Sequence, residues 1–242
     1  MGLYWKFDPL GTAGGKSPFF ELTVATTADS LTWGFTPTFD TGQSLTVEWG
    51  DGASTTVTGS ATATHTYTAA GEYRVKIRGT ARMITFGGSA APMTTYAAMI
   101  TDCNFEWNAL AFFDCYQMFM NATNLTSECT SIPDNLVRAQ EMFRNCQKLR
   151  LKLNRLPTAM SYANGLGFFA YNCKLAEIDL DILTANAPAN GWPGVTNVSY
   201  AFYNAGTGNS PGTVTGSQSA FLAKFPGVTN TNHAFTNTNT TA

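Results

Sequence analysis

The stretch MFRNCQKL, residues 142–149, recurs in altered form along the second half of the chain. Similar octads occupy residues 99–106, 118–125, 168–175, 201–208 and 234–241. Aligned without gaps, the six octads have an apolar second residue, namely Ile100, Phe119, Phe143, Phe169, Phe202 and Phe235. These residues are 19, 24, 26, 33 and 33 positions apart, close to the period of repeat architectures. The octad is therefore interpreted as the unit of an irregular repeat.

Two positions of the octad indicate what the repeat does. The fourth is often asparagine, which predicts a turn that visits the left-handed region or hydrogen-bonds its own backbone, at Asn121, Asn145, Asn204 and Asn237. The fifth varies in chemistry and reads Cys103, Ala122, Cys146, Asn172, Ala205 and Thr238. Because no thiol is repeated, the octad is predicted to be architectural. Each unit has too few apolar residues to fold alone, and stacked neighbours would share one core.

Two segments that follow octads are predicted to be strands. Residues 150–156 (RLKLNRL) and 175–183 (LAEIDLDIL) alternate apolar and charged side chains, which is the pattern of a half-buried strand. Apolar-proline pairs precede several octads and predict turns. The repeat unit is thus predicted to contain a turn, a Phe-centred octad and, in some copies, a strand.

The first third of the chain is dominated by alternating β-strand patterns. Leu45, Val47 and Trp49 are spaced for one face of a strand, and Gly-Asp-Gly at residues 50–52 predicts a tight hairpin turn before a second strand near residues 55–58. Residues 65–79 alternate again. Several short strands separated by turns predict an antiparallel β-sandwich.

Two motifs in this region resemble the PKD domain, an immunoglobulin-like sandwich. They are VEWGDG at residues 47–52, a shortened form of the family's tryptophan hairpin, and HTYTAAGEYRVKI at residues 65–77. The likeness covers residues 19–79. It implies an accessory or spacer module of the kind found on surface proteins, without catalysis.

The octads resemble the repeats of the BspA-like leucine-rich-repeat surface proteins, whose units have an M-F-x-x-C-x-x-L core. VTNVSYAF at residues 195–202 and MFRNCQKL have the clearest likeness, which spans residues 99–242. It implies adhesion or recognition through a repeat surface. The expected fold is mainly β: an arm at 1–18, a PKD-type immunoglobulin-like sandwich at 19–80, and a short irregular leucine-rich-repeat-like solenoid at 81–242.

Composition narrows the function classes. Charged residues make up 12% of the chain and the net charge is −2, so no basic face for nucleic acid is expected. No window is apolar enough to span a membrane, and no secretory signal is recognised at the start. The five cysteines are expected to be free and mostly buried, although a single bridge such as Cys103–Cys129 stays open. No cofactor-binding or metal-ligating constellation is present.

Three groups of residues are candidates for chemistry or binding. Asp51 with His65 suggests a catalytic pair, but a turn-capping Asp51 and a His65 bonded to backbone are favoured. One strand face could hold three carboxylates for a cation or for acid-base catalysis of glycan hydrolysis, although a solvated face is favoured, at Glu177, Asp179 and Asp181. Aromatic residues that could be exposed are candidate recognition contacts, although core packing is favoured for any one of them, at Trp192, Tyr200 and Tyr203.

The N-terminal arm has a compact apolar cluster of Tyr4, Trp5 and Phe7. It is predicted either to insert into a partner or to form the first strand of the sandwich. Together these features predict a non-enzymatic structural or recognition protein on the surface of a bacteriophage virion, in capsid decoration or a tail fibre. Its partners would be other virion proteins, copies of itself, and a host-surface glycan or protein. The alternative is a bacterial cell-surface adhesin.

Overall fold

The computed structural model describes residues 19–208 and 213–241, so the predicted docking arm lies outside the described residues. The chain is mainly β, with 29% strand and 8% helix, which confirms the predicted class at that level. The strands are β1 (Phe20–Thr26), β2 (Leu31–Thr38), β3 (Ser44–Glu48), β4 (Ser54–Val57), β5 (Ala63–Tyr67), β6 (Gly71–Thr80), β7 (Met83–Thr85), β8 (Ile100–Cys103), β9 (Leu110–Ala111), β10 (Glu128–Cys129), β11 (Arg150–Leu151), β12 (Glu177–Asp179) and β13 (Thr213–Thr215). The helices are α1 (Met93–Ala98), α2 (Leu180–Leu183) and α3 (Gln218–Leu222), with a 3₁₀ turn at Trp107–Ala109.

Two sheets form the N-terminal region. One has the antiparallel order β4-β3-β6-β1-β8, and the other has the antiparallel order β5-β2-β7. Burial alternates strictly along β1, as the period-two pattern predicts. Between the sheets, the rings of Trp33 and Phe35 from β2 lie 6.2 and 6.3 Å from the Trp49 ring that follows β3. These rings are fully buried and form the centre of the sandwich core.

The predicted hairpin is present between β3 and β4, with Glu48 paired to Ser54. Gly50 and Gly52 have φ of 91° and 96°, a region that glycine enters without steric cost. Asp51 caps the turn, as predicted, because its Oδ1 accepts a hydrogen bond from the N–H of Ala53 at 3.0 Å. The second strand begins one residue earlier than the sequence pattern indicated.

The predicted boundary at residue 80 is not a structural boundary. β7 pairs with β2, and β8 pairs with β1, so both strands complete the sandwich. The octad at residues 99–106 is therefore not a repeat unit, and its apolar Ile100 fills the sandwich core. The error arises because an apolar-x-x-Cys stretch in an antiparallel strand has the same residue spacing as the octad. β9 then pairs in parallel with β6 and leads into the repeats.

The remaining octads stack through five short arcs, which we call rungs, at residues 117–121, 141–145, 168–172, 200–204 and 233–237. Every rung begins and ends with a residue of positive φ, between 54° and 65°. In each of the first four rungs, the first, third and fifth residues donate backbone N–H bonds to carbonyls at the next rung. For example, Phe119 donates to Met142 O at 2.8 Å, and Phe143 donates to Phe169 O at 3.0 Å.

This hydrogen-bond register corrects the gap-free alignment at one octad. Ala170, not Phe169, is equivalent to Phe143, because the N–H groups of Ala170 and Asn172 donate forward as those of Phe143 and Asn145 do. The rung spacings are consequently 24, 27, 32 and 33 residues. The octad at residues 168–175 thus begins one residue early, since Phe169 is the equivalent of Met142. The fifth residue of every rung is asparagine once the shift is made.

The five rung asparagines form a ladder. Each has positive φ, which confirms the left-handed turn predicted for Asn121, Asn145, Asn204 and Asn237 and adds Asn172. The Nδ2 of each donates to the Oδ1 of the asparagine before it, at 2.6–3.2 Å. Asn121, in the first rung, donates instead to Gly88 O at 2.7 Å. The repeated residue thus sets the backbone turn and links neighbouring units.

Apolar residues at the centre of each rung fill a core continuous with that of the sandwich. Phe119 and Phe143 are stacked with ring centroids 6.0 Å apart, and Phe143 contacts Phe169 edge-on at 5.7 Å. All five cysteines are free and buried, as predicted, so Cys103 and Cys129 do not bridge. Cys146 and Cys173 donate to carbonyls of the preceding rung at 3.0 and 2.9 Å, and burial raises the pKa of both thiols.

The predicted strands after the octads are shorter than expected. In residues 150–156 only Arg150–Leu151 is strand, paired in parallel with β10. In residues 175–183 the strand ends at Asp179, and α2 follows. The Asp179 side chain caps this helix by accepting hydrogen bonds from the N–H groups of Asp181 and Ile182 at 2.9 and 3.2 Å.

Candidate functional site: an aromatic face on the stacked rungs

The geometry of the rungs directs two side chains of each unit outward. The second and third residues of a rung point into the core. The first and fourth lie on its other side, where Met120 and Glu141 are buried and the others are partly or fully exposed. The first residues are Gln117, Glu141, Phe168, Tyr200 and His233, and the fourth are Met120, Arg144, Tyr171, Tyr203 and Thr236. Because the rungs are in register, these residues form two parallel columns. From the second rung onward most of them are aromatic or charged.

Phe168, Tyr171, Tyr200, Tyr203 and His233, with Arg144, form what we call the aromatic face. Phe168 stacks on Tyr200 with centroids 4.7 Å apart, and Tyr171 stacks on Tyr203 at 5.0 Å, both within 10° of parallel. Tyr200 also contacts Tyr203 at 5.6 Å and His233 at 5.0 Å. The four Phe and Tyr rings are partly exposed, and His233 is exposed. Their ring faces are largely occupied by one another, so ring edges and hydroxyls point to solvent.

Arg144 continues the face toward the sandwich. Its guanidinium carbon lies 4.7 Å from the centre of the Phe168 ring and 5.5 Å from that of Tyr171. Its Nη1 donates to the Glu141 carboxylate at 2.8 Å, and Gln117 Nε2 approaches the same oxygen at 3.5 Å. Glu141 is only 8% exposed and Arg144 is partly exposed, so this contact places a partly desolvated ion pair beside the rings. The arginine is thereby held flat against the aromatic column.

A second arginine extends the same pattern. Arg138 donates two hydrogen bonds to the Asp114 carboxylate, at 2.9 and 2.6 Å. Its guanidinium carbon lies 4.4 Å from the Tyr116 ring centre and 4.5 Å from that of Tyr162. Burial raises the pKa of Tyr116, and the Glu141 carboxylate raises it further, so its hydroxyl stays protonated at neutral pH. Tyr162 is about half exposed and offers its ring to solvent.

The structure brings together two of the three predicted recognition residues. Tyr200 and Tyr203 lie on the aromatic face, whereas Trp192 is 1% exposed and is not a surface contact. The Trp192 ring stacks on Phe225, and its Nε1 donates to Pro157 O at 2.9 Å, so it is a core residue with its one polar atom paired. Sequence reasoning missed Phe168, Tyr171, His233 and Arg144. A one-residue shift of the third octad would have aligned Phe168 with Tyr200 and Tyr171 with Tyr203.

The three carboxylates proposed for a cation or for acid-base chemistry do not form one site. Glu177 contacts Lys152 at 3.1 Å and Arg150 at 3.5 Å, in a partly exposed ion-pair network shared with Glu128. Asp179 caps α2, and Asp181 accepts from the N–H of Ser217 at 3.4 Å. Among the residues of 19–208 and 213–241, no group of three His, Cys, Asp or Glu side chains is arranged to hold a metal ion.

Asp51 and His65 pair directly, which corrects the prediction that His65 would bond to backbone. His65 Nε2 lies 2.6 Å from Asp51 Oδ2, and the imidazole stacks on Trp49 at 5.1 Å. Burial raises the pKa of Asp51, but the hydrogen bond from His65, the Ala53 N–H and the charge of His65 together outweigh it, so the pKa is lowered overall. No serine, threonine or cysteine is hydrogen-bonded to this pair in the described chain, so it lacks the arrangement of a nucleophile with its base.

A cleft of about 810 Å³ lies where the 3₁₀ turn meets the loop at residues 130–135. Trp107 and Ile132 form part of its wall, and the charged side chains of Glu106, Asp134 and Arg155 lie at its edge. The Trp107 indole is held by a hydrogen bond to Ser131 O at 2.8 Å. The cleft is polar and open.

No protein-family model matches the sequence, no curated protein matches it, and no solved structure matches the fold. Within the described residues no helix has the length and apolar character to cross a membrane.

Proposed function

We propose that this is a non-enzymatic structural and recognition protein that binds its partner through the aromatic face. The observation on which the proposal rests is the stacked array of Phe168, Tyr171, Tyr200 and Tyr203 beside Arg144. Tyrosine and arginine are enriched among the residues that dominate binding energy at interfaces. These side chains point away from the core, so core packing does not require their aromatic character.

The geometry favours a protein partner over a sugar. Stacking a sugar ring needs an open aromatic face, and here the ring faces of neighbouring rungs are paired at 4.7 and 5.0 Å. What the surface offers is ring edges, tyrosine hydroxyls and one fixed guanidinium, which suit the polar and apolar atoms of a protein surface. Since stacking already restricts these side chains, binding costs little further side-chain entropy. A glycan ligand is the second candidate.

We further propose that the sandwich is a PKD-type immunoglobulin-like module and that the rungs are an irregular, BspA-like leucine-rich-repeat solenoid. Contacts among the motif residues support the first part: His65 stacks on Trp49, and the Tyr67 hydroxyl donates to Trp49 O at 3.0 Å. The repeating asparagine ladder supports the second. Such modules, with only 12% charged residues, suit a bacteriophage virion component in capsid decoration or a tail fibre. A bacterial cell-surface adhesin is the alternative.

The location is tested by mass spectrometry of purified virions from a phage whose genome encodes this chain. We expect the chain in the particle at a fixed copy number. Its absence from particles, with recovery from the bacterial surface fraction instead, would replace the virion proposal with the adhesin.

Hydrolysis of a glycan panel by the purified protein, abolished by Asp179→Asn, would overturn the non-enzymatic assignment.

The binding role of the aromatic face is tested with the double variant Tyr171→Ser/Tyr203→Ser. It removes two partly exposed rings and leaves the rung backbone and core unchanged. We expect either failure to incorporate into particles or at least a tenfold loss of attachment to host cells, since each such residue contributes about 1–2 kcal/mol at an interface. The matched control is Ile182→Ser, which removes an exposed apolar side chain from α2. Equal behaviour of the two variants in both assays would contradict the proposal.

A further inference from the structure

The last rung in the described chain, residues 233–237, has backbone donors without acceptors. In the four preceding rungs, the first, third and fifth N–H groups donate to the next rung. The equivalent N–H groups belong to His233, Phe235 and Asn237, and none has a hydrogen-bond acceptor among the described residues. The carbonyls of Asn232, Ala234 and Thr236 are already used by rung 200–204. The outer edge of this rung therefore presents three aligned donors.

Side chains around this edge continue the same incomplete pattern. Asn237 Nδ2 donates to Asn204 Oδ1 at 2.6 Å, but its own Oδ1 accepts from no described residue, whereas the Oδ1 of each earlier rung asparagine accepts from the next. Beside the rung is an open cleft of about 330 Å³ between α3 and the edge. Leu222, Ala234 and Phe235 form its apolar lining. The edge thus combines three donors, one acceptor and space for an apolar side chain.

A second copy of this chain does not fit the edge. Two such edges placed together would set donor against donor, because the carbonyls of Asn232, Ala234 and Thr236 already accept from rung 200–204. The opposite end of the stack is covered, since Phe86 and Gly87 donate to Met118 O and the adjoining β7 pairs with β2. Head-to-tail stacking of copies is therefore blocked by the sandwich.

We propose that this edge binds an extended segment of a different protein, which adds one more rung in parallel. The segment supplies three alternate carbonyls to His233, Phe235 and Asn237, places an apolar residue at the cleft, and donates from an asparagine two positions later to Asn237 Oδ1. This is strand addition to an open edge, in which main-chain bonds give affinity and side-chain pockets give specificity. The edge shares His233 with the aromatic face but uses its backbone N–H rather than its ring, so it does not depend on the role of that face.

The test uses amide hydrogen exchange of the ¹⁵N-labelled full chain, measured by NMR with an unlabelled peptide. The probe is the peptide of residues 195–208, VTNVSYAFYNAGTG, which contains one complete rung. In the protein alone, we expect the amides of His233, Phe235 and Asn237 to exchange much faster than those of Tyr200, Phe202 and Asn204. With the peptide at ten times its Kd, exchange of the first three slows about tenfold. The same peptide with Phe202→Asp has no such effect.

Three outcomes would overturn the proposal. One is that millimolar peptide leaves the three amides unchanged. Another is that they are already protected in the protein alone, at a level that rises with protein concentration, which would indicate self-association. The last outcome concerns a variant. Asn237→Gly removes the side-chain acceptor while keeping the backbone at φ 60° favourable, and it should weaken peptide binding about two- to tenfold. The control is Asn190→Gly at an exposed loop position. Equal peptide affinity of the two variants contradicts the assigned contact.

Discussion

The sandwich and the stacked rungs bury their apolar side chains in two different ways. In the sandwich, strands of up to ten residues pair antiparallel and bury alternate side chains. In the stack, strands are only two or three residues long, and the chain turns at paired positive-φ residues in every unit. The sandwich is therefore defined by side-chain alternation, whereas the stack is defined by a few backbone turns at regular spacing. Substitutions should affect the two regions differently.

The largest effect is expected from Phe143→Ala, in the middle of the stack. The ring is fully buried between Phe119 and Phe169, so its removal leaves a cavity and lowers the unfolding free energy by about 3–5 kcal/mol. Because the buried residues of both regions form one continuous core, the sandwich should lose the same stability. Urea unfolding followed by tryptophan fluorescence and far-ultraviolet circular dichroism measures this.

In that experiment, coincident transitions are expected, since Trp33 and Trp49 report on the sandwich and Trp192 reports on the stack. Ile182→Ala is the control and should change the stability by less than about 0.5 kcal/mol, because the side chain is exposed. Two separated transitions would show that the sandwich and the stacked rungs unfold independently, as two domains.

The next effect separates backbone turn from side-chain ladder at Asn145. Asn145→Ala places a Cβ residue without a local hydrogen bond at φ 63° and removes two ladder bonds, so we expect a loss of about 2–4 kcal/mol. Asn145→Gly keeps the favourable backbone and removes only the bonds, so it should cost about 1–2 kcal/mol. Thermal unfolding of both variants measures the difference. Equal losses would mean that the left-handed turn is not what the asparagine provides.

How much of each region could be predicted follows from the same contrast. The hairpin at Asp51 and the strands of the sandwich were predictable, because a period of two and a Gly-Asp-Gly turn are local signals. The asparagine turn was predictable at four of five rungs for the same reason. The register at Asn172 was not, because the apolar Phe169 and Leu175 also fit the octad when it is placed one residue early. Only the hydrogen bonds between rungs, which join residues far apart in sequence, reveal it.

The candidate site depended on that register. Tyr200 and Tyr203 were identified as aromatic surface residues, but the columns they belong to become visible only when Phe168 and Tyr171 are aligned with them. The sequence could not separate Trp192 from these two, because a tryptophan in a polar, proline- and glycine-rich stretch has no local signal of burial. Its burial is produced by stacking on Phe225 in the next unit. Contacts between repeat units therefore determine both the exposure of Tyr200 and Tyr203 and the burial of Trp192.

A smaller loss of stability is expected from a substitution at Gly79, where β6 pairs closely with β3. Gly79 has φ 129°, and a Cβ there would lie 2.3 Å from Ser44 O in the paired strand β3. Gly79→Ala should therefore lower the unfolding free energy by about 1–3 kcal/mol through backbone strain. Gly59→Ala is the matched control, since a Cβ there meets no atom within 4 Å and its φ is not in the left-handed region. Equal stability of the two variants in urea would show that β3 and β6 can move apart at Gly79 without loss of stability.

The smallest effect is a pH dependence confined to the sandwich hairpin. The folded pKa of Asp51 is lower than its ordinary value of 3.8, so the folded chain binds this proton less tightly than the unfolded chain. Asp51 thus contributes stability that is fully present above about pH 4 and is lost as the pH falls through the folded pKa. Asp51→Asn should remove this dependence while keeping the turn bond to Ala53, so the wild-type and variant stabilities converge toward pH 2. A constant difference between pH 2 and pH 6 would show that the carboxylate's charge contributes nothing to the His65 contact.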